Sequence, residues 1–352
     1  MKQYKLLYLF VLMFGMYSCG SNSGKKTNNF SLKITNPKKS YQLGESIQAE
    51  IKNPKTIEVD STQFFFENKR VKSSNNAVTI QLDNQKLGNQ EIMAIVYYKG
   101  DKDTLQAPAK IYNNKPPQLY TYKIINKYPH DPKAYTQGLE FLNDTLYEST
   151  GEYGHSSLRK TDVKTGKVYD EIELENQYFG EGLSILNNKL YQLTWQKHIG
   201  FIYTLDLKQE GTFQFNQSKE GWGLCNNGKQ FYKSDGTEKI WILNGQTLAE
   251  EDYIQATTDN SINSKLNELE WVNGKIYANS YQYPGVAIIN PVNGAIEGVI
   301  DFRGLIDEIG NKKDLDLKNH VLNGIAYNPN SNKLYVTGKD WDTMFEVELV
   351  KE

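Results

Sequence analysis

Phe179-Gly-Glu-Gly-Leu183 is the clearest copy of a pattern that the chain repeats five times between residues 137 and 335. Each copy has a small residue, usually glycine, then an aliphatic residue, a short polar turn, and Leu-Tyr or a close equivalent. Successive copies begin 44, 41, 45 and 56 residues apart, which is the period of a β-propeller blade rather than that of a helical solenoid. The copies begin at Gly138-Leu139, Gly182-Leu183, Gly223-Leu224, Glu268-Leu269 and Gly324-Ile325.

The residue just before each of these pairs varies among Gln, Glu, Trp and Asn, and none of the five is aliphatic. In a propeller the innermost strand of each blade faces the central channel. We therefore expect five polar or aromatic side chains to converge on one axis and to form a binding site. These side chains are Gln137, Glu181, Trp222, Asn267 and Asn323.

The rest of each repeat supplies further strands, and the composition, with 24 Tyr, favours sheets. The last copy has only three strands before Glu352. The spare strand Tyr120–Ile125, which precedes the first copy, is expected to complete it and to close the ring. The sequence thus predicts an all-β fold with a five-bladed β-propeller over residues 119–352.

Residues 30–112 contain short strands of alternating hydrophobicity, which is typical of a small β-sandwich. We interpret this part as an immunoglobulin-like domain that holds the propeller away from a membrane, although a binding role fits the same pattern. Residues 113–118, which contain two prolines, are the expected linker.

Residues 1–18 have the layout of a secretory signal peptide. Two lysines precede the apolar run 6–16, which is too short to span a bilayer as a helix. Cys19 follows a small residue and opens a polar tract that ends at Asn29, as in a bacterial lipoprotein. We expect Cys19 to be lipidated and this tract to be a flexible tether; an ordinary cleaved signal peptide is the alternative. The prediction is a protein of the bacterial cell envelope, facing the periplasm or the outer surface, that contacts the membrane through its lipid alone.

Composition argues against several other functions. Lys plus Arg number 40 and Asp plus Glu 42, so a net charge of −2 gives no reason to expect nucleic acid as a partner. Besides Cys19 the only cysteine is Cys225, which is expected in the core, and the two make no disulfide framework. The four histidines lack the spacing of a zinc site, and no Gly-x-Ser-x-Gly motif occurs. We expect a monomer.

Glu181 is the strongest candidate for acid/base chemistry. It lies between two glycines, and Phe179, Trp195 and Trp222 are expected around it. Desolvation there would raise the pKa of its carboxyl, as a general acid/base requires. Capping of backbone amides in the channel is the alternative. Lys339, at the end of a strand in the fifth copy, either stabilises a developing oxyanion or only neutralises Glu181.

A cation site competes with this interpretation. Oxygen atoms of Glu181, Asn267 and Asn323 would suit calcium, so a calcium-dependent propeller lactonase or esterase is the second hypothesis. A non-enzymatic propeller lipoprotein that binds a ligand is the third. The aromatic and acidic channel argues against the third, because a scaffold rarely needs a buried glutamate.

Seven segments, in order along the chain, carry a resemblance to a known family. They are Tyr-Pro-His-Asp-Pro-Lys-Ala-Tyr-Thr-Gln-Gly-Leu at Tyr128, the stretch 146–157, Phe-Gly-Glu-Gly-Leu at Phe179, Leu-Thr-Trp-Gln at Leu193, Glu-Gly-Trp-Gly-Leu at Glu220, Leu-Asn-Glu-Leu-Glu at Leu266 and Leu-Asn-Gly-Ile-Ala-Tyr at Leu322. In these segments the chain resembles the plant-type glutaminyl-peptide cyclotransferases, which are five-bladed propellers. The resemblance covers about residues 120–350 and leaves out the N-terminal domain.

The resemblance implies an enzyme that closes the N-terminal glutamine of peptides or proteins to pyroglutamate and releases ammonia. It implies no zinc and no required cofactor, and it leaves open whether a structural calcium binds in the channel. Glu181 matches the acid/base of the family. The residues that match the lining of the family's pocket are Tyr135, Gln137, Phe179, Trp195, Trp222, Asn267 and Lys339.

One position departs from the family pattern. Tyr281-Gln282 stands where plant members have Trp-Gln. Tyrosine keeps an aromatic face and adds a hydroxyl, so the departure bears on substrate preference more than on activity. Tyr281 and the channel residue Asn323 complete the set of expected substrate-binding residues.

Overall fold

The computed structural model describes residues 29–352. Their regular secondary structure consists of β-strands and two short 3-10 turns. The all-β prediction is confirmed. The predicted signal peptide, the lipidation site Cys19 and nearly all of the tether lie outside the described residues. In the described part, no helix has the length and apolar character needed to cross a membrane.

Residues 31–112 form two sheets that pack around a shared hydrophobic core. Alternation explains the packing: Ile47, Ala49 and Ile51 are buried, whereas the polar residues between them are not. The strands are β1 (Ser31–Ile34), β2 (Tyr41–Gln42), β3 (Ser46–Lys52), β4 (Ser61–Phe66), β5 (Lys69–Val71), β6 (Ala77–Gln81), β7 (Gly88–Tyr98) and β8 (Asp101–Tyr112). One sheet has the order β1-β3-β6 and the other β2-β8-β7-β4-β5.

The strands from residue 118 onward group into five four-stranded antiparallel units, which we call blades 1 to 5. Blade 1 follows the strand β9 (Gln118–Pro129) and contains β10 (Thr136–Leu142), β11 (Thr145–Thr150), β12 (Ser157–Thr161) and β13 (Val168–Glu173). Blade 2 contains β14 (Gly180–Leu186), β15 (Lys189–Thr194), β16 (Ile199–Thr204) and β17 (Gln209–Gln214). Blade 3 contains β18 (Leu224–Asn226), β19 (Gln230–Ser234), β20 (Lys239–Asn244) and β21 (Glu250–Gln255). Blade 4 contains β22 (Leu266–Val272), β23 (Lys275–Ser280), β24 (Gly285–Ile289) and β25 (Ile296–Asp301), and blade 5 contains β26 (Leu322–Asn328), β27 (Lys333–Gly338), β28 (Thr343–Lys351) and β9.

Strand β9 closes the ring, as predicted. It pairs antiparallel with β28, from Pro129 opposite Thr343 to Tyr120 opposite Lys351. It is longer than the predicted segment and begins at Gln118, the last residue of the predicted linker. A short parallel contact with β25 also joins blades 4 and 5 into one eight-stranded sheet.

The first strands of the blades, β10, β14, β18, β22 and β26, contact one another in a closed ring. Glycine permits this approach. A Cβ added to Gly182 would lie 2.5 Å from the nitrogen of Leu224, and one added to Gly223 would lie 2.1 Å from the carbonyl oxygen of Asn267. At these positions glycine is required because the backbone of the next inner strand occupies the space of a side chain.

The fourth copy of the pattern has Glu268 in the position of this glycine. Its carboxylate accepts hydrogen bonds from the backbone N–H groups of Leu139 (3.4 Å) and Ile325 (3.0 Å). Glu268 thus links blade 4 to blades 5 and 1. Burial raises the pKa of its carboxyl well above the usual range, although these two N–H groups oppose the rise.

Replacement of an inner-strand glycine should weaken the ring. We expect Gly182→Ala to lower the free energy of unfolding by about 1–3 kcal/mol, because its methyl group would meet backbone atoms rather than a flexible side chain. Chemical denaturation measures this change. Gly211→Ala in β17 is the matched control, since a Cβ there has no atom within 4 Å. Equal losses in the two variants would contradict the explanation.

Candidate active site

A pocket of about 240 Å³ lies at the end of the channel where the inner strands begin. Every side chain that lines it was among the expected site residues. They are Tyr135, Gln137, Phe179, Glu181, Trp195, Trp222, Asn267, Tyr281 and Lys339. Of the expected residues, only Asn323 does not line the pocket.

The pocket has a buried polar floor and a half-buried aromatic wall. The four polar side chains are each at most 4% exposed, whereas the five aromatic ones are partly accessible. Neighbouring rings of the wall meet at steep angles, with centroids 5.6 Å apart for Phe179 and Trp195 and also for Trp222 and Tyr281. Such edge-to-face contacts are favourable for aromatic pairs. The pocket can therefore hold a side chain with an apolar stem against the aromatic wall and place its polar end against the polar floor.

Glu181 supplies the carboxyl group of the floor. Burial raises its pKa well above the usual range; the positive charge of Lys339 opposes this rise, and the negative charge of Glu220 adds to it. Its Oε2 atom is buried and has no hydrogen-bond partner among residues 29–352. This oxygen does not cap a backbone amide, so it is free to exchange a proton with a bound molecule.

Lys339 brings the opposite charge into the same pocket. Its Nζ lies 4.5 Å from the ring centroid of Tyr135 and 5.5 Å from that of Tyr281, so the two rings flank the ammonium group. Burial lowers the pKa of Lys339 to about 8, although the charge of Glu181 opposes this effect. The side chain can therefore offer a positive charge at neutral pH to a developing negative charge.

The loop after Lys339 is fixed by an insertion at residues 302–321. Asn311 donates a hydrogen bond to the carbonyl oxygen of Asp340 (2.7 Å), and the indole of Trp341 donates one to the carbonyl oxygen of His320 (3.0 Å). The insertion explains the spacing of 56 residues before the fifth copy. It contains the two 3-10 turns, Leu305–Glu308 and Lys312–Asp314.

His130 supports the same loop from the side of blade 1. Its ring is buried, with Nδ1 2.7 Å from the carbonyl oxygen of Trp341 and Nε2 3.0 Å from a carboxylate oxygen of Glu148. The prolines of Pro129-His130-Asp131-Pro132 restrict the backbone around His130. The sequence alone does not show that the imidazole joins blade 5 to blade 1.

Asn323 acts behind the pocket rather than in it. It is fully buried and donates hydrogen bonds to Oε1 of Gln137 (3.1 Å) and to the carbonyl oxygen of Thr136 (2.9 Å). The oxygen atoms considered for calcium are thus not all in the pocket. Within residues 29–352, no group of three or more His, Cys, Asp or Glu side chains is arranged to hold a metal ion.

Glu220 was not among the expected site residues, although it lies in one of the seven segments. It does not line the pocket, but its Oε2 accepts hydrogen bonds from the indole N–H groups of Trp195 (2.7 Å) and Trp222 (2.8 Å). A side chain that acts through two others leaves no motif of its own in a single sequence.

The model of a family described as "Glutamine cyclotransferase" matches residues 94–349. The chain belongs to the glutamine cyclotransferase family. Over 233 residues it is 39% identical to a glutaminyl-peptide cyclotransferase of Arabidopsis thaliana, and the match covers 64% of this chain and 71% of that relative. The crystal structure of the Myxococcus xanthus glutaminyl cyclase superposes with a TM-score of 0.63 at 33% identity, covering 67% of this chain and 99% of the other.

The glutamine cyclotransferase region starts earlier than the resemblance suggested. It begins at residue 94, inside β7, rather than near residue 120. The hairpin of β7 and β8 therefore falls within the family region. Strand β7 also contacts the propeller, because the N–H of Asn89 donates a hydrogen bond to the side chain of Gln255 at the end of blade 3.

The negative charge of Glu181 should have a measurable effect on the pKa of Lys339. In Glu181→Gln we expect the pKa of Lys339 to fall below about 8, because the carboxylate that raises it is lost. A chemical-shift titration of the ε-carbons in ¹³C-lysine protein measures this pKa, and Lys339→Arg identifies the signal. Lys233 is the matched control: burial lowers its pKa to about 8 as well, but its partner is Glu250. A Lys339 signal that does not move, or that shifts together with Lys233, would contradict the prediction.

Proposed function

We propose that this chain is a glutaminyl-peptide cyclotransferase that converts the N-terminal glutamine of peptides or proteins to pyroglutamate and releases ammonia. Membership of the family and the relative in Arabidopsis thaliana support this activity. The observation that carries the proposed mechanism is the buried Glu181 carboxyl, whose Oε2 has no partner among residues 29–352, inside an aromatic pocket.

The aromatic wall favours cyclisation by confining the substrate. The reaction is intramolecular, so much of the rate gain comes from folding the glutamine side chain back onto its own α-amine. The rings of Phe179, Trp195 and Trp222 would pack against the methylene groups of the folded side chain. The peptide that follows the glutamine would leave through the open side of the pocket.

Glu181 would move the proton. The α-amine nitrogen attacks the γ-carbonyl carbon, and Glu181 takes a proton from this nitrogen as the new C–N bond forms. Glu181 then donates the proton to the amide nitrogen, which leaves as ammonia when the old C–N bond breaks. The ammonium of Lys339 and the NH₂ groups of Gln137 and Asn267 would stabilise the negative oxygen of the tetrahedral intermediate.

One assay tests the function against its alternatives. The purified protein is incubated with a Gln-initiated peptide in the presence of EDTA, and ammonia is measured. Release above the spontaneous rate supports the cyclotransferase. A calcium-dependent hydrolase would lose its activity in the chelator, and a non-enzymatic propeller would leave the spontaneous rate unchanged; the family relationship favours neither alternative.

Loss of the proton carrier should remove most turnover without unfolding the protein. We expect Glu181→Gln to lower kcat by a factor on the order of 10² to 10⁴, which is the usual contribution of a general acid/base. Steady-state kinetics measures kcat, and thermal unfolding tests the fold. The control is Glu210→Gln, at an exposed glutamate of β17 that pairs with Lys189 at 3.1 Å. Near-normal turnover in Glu181→Gln would remove Glu181 from this role.

We also propose that the protein is a monomeric lipoprotein of the bacterial cell envelope, attached through Cys19, with no nucleic-acid partner. The support is the order of charged, apolar and small residues before Cys19 and the polar tract after it. Stable anchoring requires two acyl chains or an equivalent second signal. Loss of the lipid on Cys19 should therefore release the protein from the membrane. In bacteria, the wild-type protein should incorporate labelled palmitate and enter the detergent phase, whereas Cys19→Ser should do neither. A Cys19→Ser protein that still enters the detergent phase would contradict the proposal.

A further inference from the structure

A single carboxylate oxygen connects two walls of the pocket. Trp195 follows β15 in blade 2, and Trp222 precedes β18 in blade 3. The indole N–H groups of both donate to the same atom, Oε2 of Glu220, at 2.7 and 2.8 Å. Hydrogen bonds to a charged acceptor are stronger than those between neutral groups. The two indoles therefore have a common anchor outside the pocket.

The anchor is itself held in place. The ammonium of Lys233 donates a hydrogen bond to the backbone carbonyl oxygen of Glu220 (2.8 Å), and the N–H of Gly221 donates one to the carbonyl oxygen of Trp195 (3.0 Å). Lys233 is completely buried, lies 3.4 Å from the carboxylate of Glu250 and stands 4.3 Å over the ring of Phe215. Burial of a lysine is costly unless it is paired. Here the buried lysine fixes the segment that carries Glu220.

The carboxylate of Glu220 also adds to the electrostatics of the floor. The titratable side chains around Glu181 on other elements are Lys339 at the end of β27, Glu220 before β18, Tyr135 before β10 and Tyr281 after β23. Lys339 lowers the pKa of Glu181, whereas the negative charge of Glu220 raises it. A loss of charge at Glu220 should therefore move the titration of Glu181 to lower pH.

We propose that Glu220 is a positioning residue for the cyclisation, which holds Trp195 and Trp222 as the two walls that bind the folded glutamine side chain. This inference rests on the proposed function. Glu220 does not line the pocket, so it acts on the substrate only through the two indoles. Because those rings would contact the glutamine before and during the reaction alike, their loss of position should raise KM more than it lowers kcat.

Two substitutions separate the hydrogen bonds from the charge. Glu220→Ala removes the acceptor, and we expect KM for a Gln-initiated peptide to rise by about tenfold, the effect of about 1.4 kcal/mol of binding, together with a change in tryptophan fluorescence. Glu220→Gln retains an oxygen that accepts from both indoles. We expect it to restore KM and the fluorescence, and to move the acidic limb of the kcat–pH profile to lower pH. Glu210→Ala, at the exposed glutamate of β17, is the matched control.

The possible outcomes are distinguishable. Unchanged KM and fluorescence in Glu220→Ala, with active wild-type protein, would overturn this inference and leave the proposed function standing. Equal damage by Glu220→Ala and Glu220→Gln would also overturn it, since the hydrogen bonds would then not be the cause. If Glu220→Ala does not fold, Trp195→Phe and Trp222→Phe remove the donors one at a time; a KM unchanged in both would overturn it. Absence of ammonia release by the wild-type protein would overturn the proposed function and this inference together.

Discussion

Close approach of the inner strands is the constraint on which the rest of the molecule depends. At Gly138, Gly182 and Gly223 the neighbouring backbone occupies the space that a Cβ would need. This contact sets the radius of the ring and therefore the distance between side chains one residue earlier in each strand. Gln137 and Glu181 meet in one pocket because the glycine that follows each of them lets the inner strands converge. The same residues thus specify the fold and place the chemistry.

A ring this narrow buries charged groups, and the protein compensates for most of them. Backbone N–H groups bind the carboxylate of Glu268, and a carboxylate and a hydroxyl surround the ammonium of Lys233. Glu181 is different: among residues 29–352 its buried Oε2 has no hydrogen-bond partner and no salt bridge, whereas Oε1 of Glu250, which also lacks a hydrogen bond, lies 3.4 Å from Lys233. An uncompensated buried oxygen is costly, and such a departure from good packing is expected where function requires it. The desolvation that makes Glu181 costly is also the cause of its raised pKa.

The repeat made much of the site predictable, because a pattern of fixed phase places equivalent residues at equivalent points of the ring. All nine pocket-lining residues could be found in this way or through the family resemblance. Contacts that join distant parts of the chain could not, and for this reason the insertion 302–321 and Glu220 were missed. Strand β8 is hard to predict for a local reason: Leu105, Ala107 and Ala109 alternate inward, but Pro108 argues against a central strand. The structure accepts this proline opposite Glu91, within the β7–β8 pair.

The N-terminal sandwich packs against the propeller near the start of the closing strand β9. Two backbone hydrogen bonds join the sandwich and its linker to the propeller. The N–H of Leu87 donates to the carbonyl oxygen of Asn293 (2.9 Å), and the N–H of Asn113 donates to the carbonyl oxygen of Thr258 (3.0 Å). Ala295 of blade 4 lies in the hydrophobic core of the sandwich. Asn113 precedes β9 by only a few residues, so the closing strand starts from a fixed point. A fixed start lowers the entropy lost when the two ends of the ring meet. Docking of the sandwich therefore favours closure of the ring by β9.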